Sequence, residues 1–221
     1  MPPKASKSRA GYGYQERQVG TREPKKRFLI VCEGKKTEPN YFHAFRVAKQ
    51  IVDDVDLEGK GFDPKSLVEE ADRIKNQQHR AVYDQIWCVF DRDDFDPEVF
   101  NAAIEMARSR GYRVAYSNEA FELWYLLHFE YLKSGISRVE YGKKLSNCLG
   151  RKYEKNSQEM YEILLDKQSG AIKRAKTLLD SYPSFSPINN NPSTTVHELV
   201  LELNQASANN APRGKSGRSS S

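Results

Sequence analysis

Two short apolar runs end in carboxylates: Phe28 to Glu38, FLIVCEGKKTE, and Ile86 to Asp94, IWCVFDRDD. The first offers Glu33, with Glu38 five residues on; the second offers Asp91, Asp93 and Asp94. Runs of this length read as buried parallel strands, and acids at their C-terminal ends fall in the crevice where open α/β sheets hold ligands. If the two strands are neighbours, the acids converge and repel one another unless a divalent cation lies among them. The chemistry expected is that of a Mg²⁺ or Mn²⁺ site acting on phosphate. Mg²⁺ keeps several waters, so two or three carboxylates suffice to hold it.

The elements that must position these acids alternate in type. Phe28 to Cys32 reads as the first strand, followed by a helix from Thr37 or Glu38 with Pro39 in its first turn. Val52 to Leu57 is a weak second strand, and Asp63-Pro64 opens a helix to about Arg80. Gln85 to Phe90 is the third strand. Asp96-Pro97 repeats the cap signal, and Gly111 ends that helix. Tyr112 to Tyr116 is the fourth strand. Ser117-Asn118 then reads as the cap of a greasy helix, AFELWYLLHF. Further helices are expected over 158–166, 171–179 and 192–203, the last with Thr195 and Glu198 at capping-box spacing. The order implies a mostly parallel sheet with helices on both faces, plus a C-terminal helical extension.

Charge divides along the same lines. Residues 1–27 carry eight Lys/Arg against two acids, and residues 204–221 carry three basic residues and no acid. Residues 28–132 hold 13 basic and 20 acidic residues, and 133–203 hold 11 and 8. An acidic part beside a basic part suits a cation site that meets a phosphate backbone. The expected organisation is a disordered basic tail over 1–25, an α/β core over 26–132, the extension over 133–203 and a disordered polar tail over 204–221. The 38% hydrophobic content supports a real core. No apolar run approaches the ~20 residues of a spanning helix, and the N-terminus has no signal-peptide stretch, so a cytoplasmic protein is expected. Cys32, Cys88 and Cys148 are odd in number and unclustered, which argues against a disulfide framework or a zinc site.

A strand ending in Glu-Gly, followed two elements later by a strand ending in Asp-x-Asp, resembles the Toprim fold of topoisomerases, primases and certain nucleases. In combination, FLIVCEGKKTEPNYF, VFDRDDF, YSNEAFELWYLLHF and NPSTTVHELV resemble the RloB-like family of bacterial and archaeal defence proteins, over about residues 26–203. The resemblance implies an abortive-infection or anti-phage role beside a partner AAA-type ATPase. It implies a metal-proximal Glu33 able to relay a proton, with Asp91 and Asp93 gripping the cation. Glu38 would be a second glutamate, at a gap longer than usual, and Asp94 an outer ligand. Lys35 and Lys36 would meet phosphate or transition-state charge.

Other readings rest on single residues. Glu122, in an apolar helix, wants a partner and is a candidate catalytic acid; a surface-facing acid is the rival. Asn118, Lys152, Lys155 and Arg174 are candidate nucleic-acid contacts, with Tyr153 and Asn156 beside them. Glu38 also suits the first turn of any helix, and Asp93 and Asp94 suit a turn. His128 and the stripe Phe121, Trp124, Tyr125 read as core. The function expected is a Mg²⁺-dependent nuclease acting on DNA or RNA, tRNA included. The alternatives are a non-catalytic adaptor that assembles with the ATPase, or a primase-type transferase, which lacks an accessory zinc motif here. A homo-oligomer is left open.

Overall fold

The computed structural model describes residues 26–49, 55–59, 63–77, 83–92 and 95–210. The expected tail over 1–25 lies outside them, as do Asp93 and Asp94.

Runs that are apolar at every position become strands covered on both faces. β1 (Phe28–Cys32) is buried throughout, and β3 (Gln85–Asp91) is buried from its second residue onward. With β2 (Val55–Gly59), β4 (Arg113–Asn118) and β5 (Ser193–Thr194) they form one sheet of order β2-β1-β3-β4-β5. The first four strands are parallel, and β5 runs antiparallel to β4.

Alternate strand residues serve opposite cores. Leu29, Val31, Cys88, Phe90 and Tyr116 meet α2 (Pro64–Gln77) and α3 (Pro97–Ser109). Ile30, Cys32, Trp87, Val89 and Ala115 face the other way. There they share a core with α1 (Thr37–Lys49), α4 (Glu122–Leu126), α5 (Arg138–Leu149), α6 (Met160–Leu165), α7 (Gln168–Asp180) and α8 (Val196–Asn210). The architecture is α/β with helices on both faces of a mostly parallel sheet, consistent with a Toprim-like fold. Residues 133–203 add a strand to the sheet and side chains to its core.

Local chemistry explains the helix starts. Asp96 accepts the Glu98 N–H at 2.8 Å with Pro97 opening α3, and Asp63 accepts the Lys65 N–H at 3.1 Å with Pro64 opening α2. Gly111, at φ 75°, takes the left-handed turn after α3.

Three expectations are corrected. Ser117 and Asn118 do not cap a helix: they extend β4, paired with Thr194 and Ser193 of β5, and α4 begins only at Glu122. The Thr195 hydroxyl serves the sheet, accepting the Tyr116 N–H at 3.0 Å and donating to the Val114 carbonyl at 3.1 Å, so the last helix starts at Val196 and not at Pro192. That helix continues to Asn210 with Ala206 buried, so residues 204–210 are ordered helix and not tail. α5 was not expected. It begins with a capping box, Ser137 with Glu140, and ends at Gly150 with φ 65°. Among the described residues, no helix is long and apolar enough to cross a membrane.

Candidate active site

Because β1 and β3 are parallel neighbours, their C-terminal ends open on one edge of the sheet. Cys32 pairs with Val89, and the next N–H, that of Glu33, donates to the Val89 carbonyl at 2.9 Å. The chain then leaves the sheet, and Glu33 Oε2 accepts the backbone N–H of Asp91 at 3.2 Å. The two acids named first from the sequence therefore stand side by side.

Asp91 ends β3 and is 8% exposed. Its Oδ2 accepts the Phe121 N–H at 3.0 Å. Its Oδ1 is buried and, among the described residues, has no hydrogen-bond partner. Glu38, in the first turn of α1, is 6% exposed. Its carboxylate lies against Gly34, where any Cβ would collide with it. Only glycine therefore lets the β1–α1 loop and this acid share the space. Glu122, the first residue of α4, is also buried, and its Oε1 accepts the Tyr153 hydroxyl at 3.2 Å.

The electrostatics follow from burying like charges together. Burial pushes Glu33 up to about 7, opposed by the Asp91 N–H, reinforced by Glu38 and moderated by Arg138 and Lys155. Burial raises Asp91 most of all, and the charges of Glu38, Glu122 and Glu33 each add to it. Glu38 is raised by burial and by Glu122, against its own backbone N–H, Lys155 and Arg138.

A cavity of about 240 Å³ opens over this cluster. Glu33, Glu38 and Asp91 line it together with Lys35, Lys36, Arg138, Lys155 and Asn156. Among the described residues, no three His, Cys, Asp or Glu side chains form a ready-made metal cage. Mg²⁺ does not require one, since it binds through one or two carboxylates and keeps its waters. A buried carboxylate oxygen with no donor among the described residues, in a cavity also lined by Glu33 and Glu38, is of a type that a divalent cation can satisfy. The donor set is all oxygen, which matches Mg²⁺ or Mn²⁺ and not zinc.

The remaining predicted residues divide between cavity and scaffold. Lys35 and Lys36 are exposed on the cavity wall, as is Lys155. Asn118 is fully buried, and its amide donates to the carbonyls of Pro187 and Ile188, so it braces a loop and presents no surface to nucleic acid. Arg174 donates to the Leu127 carbonyl at 3.0 Å and props the end of α4. Lys152 is exposed but is not part of the cavity wall. His128 is core, bonded to the Trp124 carbonyl at 2.9 Å. Phe121, Trp124 and Tyr125 pack inside the same core. Arg138 was not singled out in the sequence. Its signal was the spacing Ser137-x-x-Glu140, which makes Arg138 the first residue of α5.

The family model of RloB-like proteins matches residues 28–203, from the first residue of β1 into α8. The chain belongs to the RloB-like family. The matched segment contains every cavity residue, those of the sheet and those of the extension alike. No curated protein and no solved structure matches this RloB-like chain.

Proposed function

We propose that this RloB-like protein is a divalent-cation-dependent phosphodiesterase that hydrolyses nucleic acid, DNA or RNA, in defence against phage. The observation that carries the reading is Asp91 Oδ1, buried and, among the described residues, without a donor, in a cavity it lines with Glu33 and Glu38 where two parallel strands end. Asp91, Glu33 and Glu38 would hold Mg²⁺ or Mn²⁺, with Asp93 and Asp94 next along the chain. When bound, such a cation polarises a phosphate and favours ionisation of an attacking water.

The chain's own groups have distinct tasks. Asp91 lines the cavity, is fixed at one oxygen by the Phe121 N–H, and among the described residues takes no hydrogen bond at the other. Glu33, raised to about 7 before any cation binds, would be held ionised by one and would serve as its ligand. Lys35 and Lys36 place positive charge at the cavity mouth, where a phosphate backbone arrives. Glu122, which accepts the Tyr153 hydroxyl and is not among the cavity residues, adds negative charge that acts on Asp91. The family's AAA-type ATPase is the proposed partner that triggers or restrains cleavage.

The test is purified protein offered plasmid, single-stranded DNA and total tRNA in Mg²⁺ or Mn²⁺, with and without the ATPase. Cleavage of one class, abolished by chelator and by Asp91→Asn, is the expected result. Protection of cells by an Asp91→Asn protein that cleaves nothing would instead establish a non-catalytic adaptor.

A further inference from the structure

The extension does more than cover the sheet. Thr37 Oγ1, at the start of α1, donates to the Lys155 carbonyl at 2.9 Å, and Asn40 Nδ2 donates to the Asn156 carbonyl at 3.0 Å. From the other side, Tyr153 bonds to Glu122, and its N–H donates to Ser146 Oγ of α5 at 2.9 Å. The 153–156 loop is thus tied at four points to α1, α4 and α5, and it forms a wall of the acidic cavity. Arg138, held at the first turn of α5 by the Ser137–Glu140 box, completes that wall. Two cations from the extension therefore line the same cavity as Glu33, Glu38 and Asp91.

We propose that Arg138 and Lys155 form a phosphate clamp, by which the helical extension positions the nucleic-acid backbone over the carboxylates. The clamp rests on the phosphodiesterase reading of the same cavity and names what holds the substrate there. Arg138 offers a planar fork suited to two phosphate oxygens, and Lys155 a mobile point charge. Both line the same cavity as Glu33, Glu38 and Asp91, so a phosphate arriving there meets both signs at once. The two side chains are positioning residues: they grip the substrate, while the acids carry the reaction.

The test is anisotropy of a fluorescein-labelled single-stranded oligonucleotide titrated with the full chain in Ca²⁺, across a salt series, alongside cleavage in Mn²⁺. Lys155 is exposed, so Lys155→Ala leaves the core intact; Arg138→Ala is checked by thermal melting, with Arg138→Lys as its conservative partner. Loss of a charge-assisted phosphate contact should weaken binding by about tenfold for each alanine variant. It should also reduce the slope of log affinity against log salt by about one, a change that a purely structural role would not produce. Arg138→Lys should retain the slope and lose part of the affinity. Unchanged affinity and slope in both alanine variants would overturn the clamp, as would absence of binding by the unaltered chain. Binding with these slopes but no cleavage in Mg²⁺ or Mn²⁺, with the ATPase present as well as absent, supports a phosphate-gripping pair and removes the phosphodiesterase reading.

Discussion

The carboxylate of Glu38 rests on Gly34, four residues earlier, where any side chain would displace it. Gly34 does not have a positive φ, so its role is space and not backbone freedom. Gly34→Ala should therefore leave the fold standing while moving Glu38 out of the cluster. Displacements of about 1 Å in such sites cost about a hundredfold in rate, while stability should change little, because the added methyl meets only the tip of the Glu38 side chain. Chelator-sensitive cleavage and a thermal melt on the same protein check both halves.

Asp91→Asn keeps shape and hydrogen bonding but removes a charge that Glu38, Glu122 and Glu33 all oppose. The metal-free variant should melt at the same temperature as the unaltered chain or higher, since like-charge repulsion is relieved. Cleavage should nevertheless fall by at least ~100-fold, because loss of groups merely adjacent to metal ligands already costs 10–100-fold. Calorimetry and a turnover assay read the two effects, and their opposite signs separate a functional carboxylate from a structural one.

The pH dependence has a definite sign. Glu33 titrates at about 7 in the folded chain against 4.5 ordinarily, so the folded state holds a proton that the unfolded state has released. Its contribution to stability is full below about 4.5 and is lost as pH rises through about 7. Other carboxylates set the acid limb, so the diagnostic window is pH 5 to 8, on the order of one unit beyond those values. Metal-free protein should lose melting temperature across that window, and Mg²⁺ should restore it at the alkaline end. Glu33→Gln should make the metal-free profile shallower without abolishing it, since Asp91 and Glu38 are raised as well.

How much of this was legible in the sequence depended on whether the signal was local. β1 and β3 were readable because buried parallel strands are continuous apolar runs, and their terminal acids break those runs abruptly. Asp96-Pro97 and Asp63-Pro64 marked helix starts because capping uses only neighbouring residues. Ser117 and Asn118 were misread because the same residue types suit a cap and a strand, and their partner, β5, lies more than seventy residues away in the chain. β5 itself is two residues long and has no periodicity to detect. Arg138 was missed for a related reason: only tertiary folding brings α5 to the cavity, although the Ser137 capping box was present to be read. Asn118 was a candidate nucleic-acid contact, but it is buried and its amide donates to the Pro187 and Ile188 carbonyls.

The pinned loop gives a further prediction. Thr37→Val removes the hydroxyl that holds the Lys155 carbonyl while retaining volume at a buried position. The lost bond should cost about 1 kcal/mol of stability. Its larger effect should appear as a raised KM with a smaller change in kcat, because the loop carries binding and the acids carry chemistry. Steady-state kinetics on a defined oligonucleotide distinguish the two.

The most direct measurement is Mn²⁺ uptake by isothermal titration calorimetry, at a pH above the Glu33 value of about 7. The unaltered chain should bind the cation, releasing fewer protons as pH increases, and Asp91→Asn should show no saturable uptake. No heat of binding in the unaltered chain, or an identical isotherm in Asp91→Asn, would contradict a cation held at the junction of β1 and β3.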